Sequence, residues 1–325
     1  MHTKLHWGII GLGKIAAIFA EDMLRFQQAN LYAVTSRTTE KAKNFADKFQ
    51  AEKAYTNYQQ VIDDPKIDVV YIATPHVFHF ELAMACLKAK KHVLCEKPLC
   101  MNAAQVKLLS AEAKRNNCFL MEGIWTRFMP STNKLIELLS KNSIGELLSL
   151  EADFGFEAKF NKNSRLFNKN LGGGSLLDIG IYPIYLSLLC LGLPSKIEAK
   201  GKFATTGVDV ACQMKFFYEG EQQANLLSSF EENTSCECII NGTNGRIKLH
   251  RRFHQSTCVE VFDAEGISIE TYSLPYQGNG YVHEIEEVTN CIRQLQLESE
   301  KLPHSTSIQL AEVMDKVMKQ IGLEY

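Results

Sequence analysis

Trp7-Gly8-Ile9-Ile10-Gly11-Leu12-Gly13-Lys14-Ile15-Ala16-Ala17 decides the fold of the first half of this chain. An apolar strand runs into Gly11-x-Gly13-x-x-Ala16 and out into a helical pattern, the strand, glycine turn and helix that cradle a dinucleotide pyrophosphate. Each small residue has a physical task. Gly11 permits the tight turn, Gly13 lets the backbone approach the phosphates, and Ala16 lets the helix lie close on the strand. Free N–H groups at the helix N-terminus, around Leu12 to Ile15, then meet the negative charge. An ordinary strand-to-helix loop would also tolerate two glycines. The strand–helix–strand context selects the cofactor reading.

Working outward, short apolar runs alternate with helical ones to about residue 124. Strands are expected at residues 5–10, 31–36, 68–73, 92–95 and 119–124, with helices at 40–49, 78–88 and 103–115. Such alternation gives a doubly wound parallel sheet of Rossmann type. The second half reads as an α+β domain. After a helix at 133–139, strand-like runs follow at 147–156, 197–203, 210–218, 223–230, 236–242, 246–250, 257–262 and 267–273. Asn241-Gly242, Asn244-Gly245, Glu219-Gly220 and Glu265-Gly266 separate several of them as turns. A large, mostly antiparallel, open-faced sheet is expected, interrupted by Gly172-Gly173-Gly174 leading into a helix at 176–191. Helices at 282–297 and 308–321 close the chain. The predicted domains are therefore 1–124 and 125–325, with the last helix, about 306–321, packing back on the first domain.

A chain of 325 residues is long enough for two domains. With 46% hydrophobic and 22% charged residues and a net charge of −2, nothing in the composition points to nucleic acid as a partner. The longest apolar run, 179–193, contains Pro183 and falls short of the ~20 residues needed to span a bilayer, so it reads as a buried helix rather than a membrane anchor. The first strand begins almost at once, which leaves no room for a signal peptide, and a cytoplasmic location is expected. Ten cysteines without a CxxC pair read as buried free thiols.

The end of the second strand, Val34-Thr35-Ser36-Arg37-Thr38, is where a ribose hydroxyl of NAD would meet a carboxylate. None stands there. Ser36 and Arg37 offer a hydroxyl and a guanidinium suited to a 2′-phosphate, which favours NADP over NAD. Two further strands run into Ala73-Thr74-Pro75-His76-Val77-Phe78-His79 and Cys95-Glu96-Lys97-Pro98 at the carboxyl edge of the sheet, where ligands bind in such folds. His76 and His79 have HxxH spacing, but no third ligand accompanies them, so no metal is expected.

Glu96-Lys97-Pro98, the glycine turn and the antiparallel second half together resemble the Gfo/Idh/MocA oxidoreductase family over essentially the whole chain. Ile72-Ala73-Thr74-Pro75-His76, Met121-Glu122-Gly123-Ile124-Trp125-Thr126-Arg127-Phe128 and Gly172-Gly173-Gly174-Ser175-Leu176-Leu177-Asp178-Ile179-Gly180-Ile181-Tyr182-Pro183 are similar to its branch of dihydrodiol and xylose dehydrogenases. That resemblance implies a catalytic lysine, aspartate and tyrosine, here Lys97, Asp178 and Tyr182, and a cis bond before Pro98.

The chemistry can be argued from the residues as well. Moving hydride from a carbinol carbon to a nicotinamide requires loss of the hydroxyl proton as the carbonyl forms. A cationic Lys97 would stabilise the alkoxide and lower the pKa of a neighbouring tyrosine, letting Tyr182 serve as general base. Asp178 and Tyr182, four apart at the start of a helix, would share one face a turn apart. Asp178 would either orient Lys97 or hold the substrate hydroxyl. Structural alternatives are a first-turn carboxylate favoured by the helix dipole and a core tyrosine. Glu96 is expected to help position the lysine loop beside the nicotinamide, with Thr74, Pro75 and His76 lining its pocket. His79 either lies near the substrate or packs in the following helix. Trp125, Arg127, Phe154, Phe156 and Tyr276 are candidate walls of the substrate pocket.

The reading is a dehydrogenase moving hydride between NADP and a secondary or anomeric hydroxyl carbon of a small cyclic polyol, an aldopyranose or dihydrodiol. A non-catalytic NADP-sensing regulator of the same fold is the rival, and a larger sugar nucleotide a third possibility. A homodimer is also expected, joined through the open face of the second sheet, because Val210, Cys212, Met214 and Phe216 make one strongly apolar face.

Overall fold

The computed structural model describes residues 4–325, and they form two compact units. One takes the chain up to Phe128 together with Gln277–Ile308; the other takes Met129–Tyr276 with Gln309–Tyr325.

In the first unit, strands β1 (Leu5–Ile10), β2 (Ala29–Thr35), β3 (Lys53–Tyr55), β4 (Val69–Ile72), β5 (His92–Glu96) and β6 (Leu120–Gly123) alternate with helices. These are α1 (Lys14–Met23), α2 (Thr39–Phe49), α3 (Tyr58–Asp63), α4 (His79–Lys88) and α5 (Ala103–Arg115). The strands pair in parallel in the order β3-β2-β1-β4-β5-β6. Order reverses between β1 and β4, so the crevice at the carboxyl ends of these two strands is where a ligand is expected. The strands are buried on both faces: Trp7, Ile9, Val34, Val70, Ile72 and Leu94 are all completely inaccessible, as the near-continuous apolar runs of a helix-covered parallel sheet require. Neither β3 nor α3 is legible in the sequence, since β3 is three residues long and mostly exposed.

In the second unit, α6 (Pro130–Ser140) precedes β7 (Leu147–Gly155), and α7 (Ile181–Leu191) precedes β8 (Lys196–Phe203), β9 (Asp209–Phe217) and β10 (Gln223–Ser229). The chain continues through β11 (Cys238–Gly242), β12 (Gly245–Leu249), β13 (Cys258–Phe262) and β14 (Ser268–Ser273). The sheet order is β14-β13-β12-β11-β7-β10-β9-β8, antiparallel except for the parallel β7–β10 pair. The apolar stretch Lys169–Leu191 is long enough to cross a membrane, yet 78% of its most apolar window is buried in the protein. It is a core segment of this unit.

Two expectations change. The boundary falls after Phe128 rather than at 124, because the turn Trp125–Phe128 stays with the first unit: Trp125 stacks on Tyr281 at 4.8 Å and Arg127 Nε donates to Lys301 O at 2.9 Å. The returning segment is Gln277–Ile308, which carries α8 (Val282–Arg293), rather than residues 306–321. It is drawn in by Asp22 of α1, a fully buried carboxylate that accepts from Asn279 N and Tyr281 N, each at 2.8 Å; such a carboxylate cannot be left without donors. Helix α9 (His304–Ile321) begins in the first unit, where His304 Nε2 lies 2.9 Å from Leu120 O. It ends in the second, where Gln320 bonds Ile197 O and Ala199 N.

The second change concerns the sheet face. Val210, Cys212, Met214 and Phe216 are 7% exposed or less within the single chain, and β9 packs against the turn before α7. The opposite face carries Glu151, Asp153, Lys200, Gln213, Lys215, Asn225 and Leu227 around a broad recess. The apolar face of β9 is satisfied internally, and the open face is polar.

Candidate active site

The glycine turn is built as its residue types demand. Gly11 has φ +94°, and a Cβ there would stand 2.8 Å from Ala73 O and 2.9 Å from Thr74 Cγ2. Gly13 is different: its backbone is extended and a Cβ would meet nothing within 4 Å. Gly13 is also the N-cap of α1, which has no side-chain cap, so the first-turn amides are left to something else. Lys14 is exposed, Ile15 half-buried, and Leu12 and Ala16 are buried. Thr74 Oγ1 is buried without a partner among the described residues. An open glycine, an uncapped helix N-terminus and an orphaned hydroxyl across the crevice fit a dinucleotide phosphate. At the end of β2, Ser36 is half-buried, its Oγ 3.4 Å from Thr38 N, and Arg37 is exposed.

The segment after β5 is held at three points. Tyr71 donates its hydroxyl to Glu96 Oε1 at 2.5 Å, and Phe19 stacks on the Tyr71 ring at 3.7 Å. His79, fully buried at the start of α4, has Nδ1 2.8 Å from Pro98 O and Nε2 2.9 Å from Thr74 O. Glu122 Oε1 accepts from Leu99 N at 2.8 Å. The Lys97–Pro98 bond is cis. Across Glu96–Cys100 every residue is buried except Lys97, which is half-exposed. The fold thus immobilises the loop and leaves the Lys97 residue half-exposed.

His79 ties the loop after β4 to the loop after β5 through both ring nitrogens. Burial pushes its pKa down, against the pull of the two carbonyls. His76, buried in the short turn His76–Phe78 just after Pro75, lies 5.8 Å from the His79 ring. Trp125 and Arg127 sit on the turn after β6 rather than on a strand, and Arg127 is engaged with the Lys301 carbonyl.

In the second unit Asp178 and Tyr182 follow the glycine run. Gly174, at φ +125°, lies so close to Asp209 that a Cβ would be 2.3 Å from its Oδ1. Fully buried Asp209 takes Ser175 Oγ at 2.6 Å and Leu176 N at 2.7 Å on Oδ2, which fixes where the next turn starts. That turn, Leu176–Gly180, is π-helical, and α7 begins only at Ile181. The expectation of one regular helix from 176 is corrected: a wider i→i+5 turn carries Asp178, so α-helical spacing does not relate it to Tyr182. Single π turns of this kind concentrate at functional sites.

Asp178 is 7% exposed, and both of its oxygens are engaged by Arg165, Nη1 at 2.9 Å and Nη2 at 3.2 Å. This forked, charge-assisted pair was not legible, because twelve residues separate the partners and no local pattern links them. Tyr182 is 6% exposed and packs among aromatics, 5.8 Å from Phe154 and 5.2 Å from His254. His254 stacks on Phe154 at 4.3 Å, and Phe156 lies 6.5 Å from Phe154. Phe154 lies beside Tyr182; His254, lodged between two strand runs, gave no signal. Tyr276 is half-buried and donates to Gln255 Oε1 at 3.2 Å.

Comparison with known proteins extends this geometry. Residues 5–124 match the family model of oxidoreductases with an NAD-binding Rossmann fold, GFO_IDH_MocA, and residues 132–248 match the GFO/IDH/MocA C-terminal domain. The chain is similar to trans-1,2-dihydrobenzene-1,2-diol dehydrogenase of Danio rerio, 36% identical over 99% of this chain and 98% of that protein. The Homo sapiens protein of the same name is 34% identical over the same shares. Among solved structures, the 3-ketoreductase KijD10 of Actinomadura kijaniata, in complex with TDP-benzene and NADP, superposes with a TM-score of 0.85, 25% identity and 98% coverage of both chains. The aldose-aldose oxidoreductase of Caulobacter crescentus shares the fold at TM-score 0.89, 23% identity and 98% coverage of both chains. The chain belongs to the Gfo/Idh/MocA oxidoreductase family and is an NAD(P)-dependent dehydrogenase acting on CH–OH groups.

Proposed function

We propose that this dehydrogenase uses NADP to oxidise a secondary or anomeric hydroxyl carbon of a small cyclic polyol, an aldopyranose or a dihydrodiol. The observation that carries the reading is Lys97, the one accessible residue of an otherwise buried and clamped loop. The relatives named for dihydrodiol oxidation supply the substrate class. Gly11, Gly13 and the first turn of α1, with Thr74, would hold the dinucleotide phosphates. Exposed Arg37, with no carboxylate at the tip of β2, favours the 2′-phosphate of NADP.

When bound, the nicotinamide supplies the hydride acceptor. The Lys97 ammonium steadies the alkoxide, and Tyr182 takes the hydroxyl proton as general base. Asp178, held in a fixed orientation by Arg165, positions the hydroxyl. Phe154, Phe156 and His254 give this side of the substrate an aromatic surface suited to a ring. In the first unit, Trp125 stacks on Tyr281 and His76 is buried just after Pro75.

A screen of pentoses, hexoses, inositols and dihydrodiols with NADP and NAD, read by absorbance of the reduced nicotinamide, tests the assignment. Turnover of a cyclic polyol with NADP is expected; turnover with NAD alone, or of acyclic alcohols only, would refute it. We also place the protein in the cytoplasm as a homodimer paired through the polar open face of the second sheet. Light scattering on the eluting protein checks the dimer, and a concentration-independent mass near 36.6 kDa would end it.

A further inference from the structure

Around the base of the Lys97 loop the first unit buries three glutamates. Glu96 is 7% exposed, Glu122 3% and Glu284 not at all, far from the usual placement of this residue type. They are not equivalent. Glu96 is served by the Tyr71 hydroxyl. Glu284, on the first turn of α8, has no hydrogen-bond partner on either oxygen among the described residues, and burial with the neighbouring charge of Glu96 pushes its pKa well up.

Glu122 is tied to the loop itself. It lies on β6 opposite Cys95 of β5, and the next residue, Gly123, faces Glu96 so closely that a Cβ would stand 3.2 Å from Glu96 Cα. Its Oε1 takes the amide of Leu99, two residues beyond Lys97, while Oε2 is buried with no hydrogen-bond partner among the described residues. The groups facing Glu122 come from every side: Lys97 and the Leu99 amide from the loop, Glu96 from β5, and the Ser307 hydroxyl from α9. The thiols of Cys95 and Cys100 lie within its field. Among these groups Lys97 is the cation. Burial drives the Glu122 carboxyl up from its ordinary range, while Ser307, the Leu99 amide and the Lys97 charge hold it down.

We propose that Glu122 is a positioning residue for Lys97: its carboxyl anchors the loop through the Leu99 amide and sets the electrostatic surroundings in which the lysine ammonium titrates. The inference rests on the reading of Lys97 as the alkoxide-stabilising cation. A prop and a counter-charge can be told apart, because glutamine offers the same carbonyl to the Leu99 amide but carries no charge.

The test is competitive labelling of amino groups with acetic anhydride across the alkaline range, read by mass spectrometry at Lys97 in wild type and Glu122→Gln. Loss of the Glu122 charge should lower the Lys97 apparent pKa by about one unit, and the pH dependence of kcat should move the same way. Affinity for NADPH, measured by fluorescence titration, should be unchanged. An unshifted Lys97 titration in Glu122→Gln overturns the proposal. Glu122→Ala should lose the loop anchor as well and cost about a hundredfold in kcat; if it fails to fold, Glu122→Gln carries the test alone. Labelling needs no turnover, so an active Lys97→Ala variant would refute the catalytic reading of Lys97 without touching the coupling to Glu122.

Discussion

Gly11 and Gly13 are two residues apart in one motif, yet they should fail in different ways when each becomes alanine. At Gly11 the backbone sits at φ +94°, and the added methyl would be 2.8 Å from Ala73 O, 2.9 Å from Ala73 C and 2.9 Å from Thr74 Cγ2. The nearest of these are main-chain atoms of the strand end beside β1 and cannot swing aside. A positive φ on a non-glycine residue costs roughly 1–2 kcal/mol, and overpacking adds about 1–3. Restricting the unfolded chain returns only about 0.4–1 kcal/mol. The net loss is about 2–4 kcal/mol, which for a unit of this size lowers the melting temperature by about 5–15 °C. At Gly13 a methyl meets nothing within 4 Å and the backbone is extended, so Gly13→Ala should melt within a few degrees of wild type. It should instead weaken dinucleotide binding about tenfold to a hundredfold by holding the phosphates off the helix amides. Thermal unfolding by circular dichroism and fluorescence titration with NADPH check the pair. Gly13→Ala binding as tightly as wild type, or Gly11→Ala melting with it, would refute the division of labour.

Three further outcomes follow from the same geometry. Arg37→Ala should weaken NADP about tenfold to a hundredfold while leaving NAD nearly unchanged, since only the 2′-phosphate meets that guanidinium; equal losses in paired titrations would make Arg37 an ordinary surface charge. Arg165→Gln should cost about 1–2 kcal/mol in urea unfolding, discounted because the arginine side chain is 45% exposed, and should lower kcat with little change in cofactor affinity. An unchanged kcat would show that the orientation of Asp178 is immaterial. His79 and His92 both have depressed pKa values through burial. Between those values and the ordinary ~6.5 the unfolded chain binds the extra protons, so stability should fall as pH drops below about 6.5; urea midpoints that stay flat through that window would contradict the burial argument.

Local rules carried much of this architecture. The β1–turn–α1 unit and the loop after β5 are recognisable in short stretches where glycine, proline and an apolar run mark the geometry, although Tyr71, His79 and Glu122 hold the loop from a distance. What escaped depends on distance or on width. Arg165 and Asp178 meet across twelve intervening residues, and nothing in Asn161-Lys162-Asn163-Ser164-Arg165 separates a partnered arginine from a solvated one. The π turn at Leu176–Gly180 has no periodic signature, because it is imposed by Asp209 accepting Leu176 N from another strand. The return of Gln277–Ile308 depends on Asp22, whose burial cannot be seen in a helix that otherwise reads as amphipathic. The alternation in β9 located an apolar face correctly but could not say whether a helix of the same chain or a second copy covers it.

The central claim is that Lys97 and Tyr182 perform the proton and charge chemistry of a polyol dehydrogenase. The measurement that tests it most directly is steady-state reduction of NADP by the best cyclic polyol for wild type, Lys97→Ala and Tyr182→Phe, alongside NADPH binding by each. Turnover should fall about 10² to 10⁴-fold in both variants while NADPH affinity holds. Near-wild-type turnover in both would contradict the account.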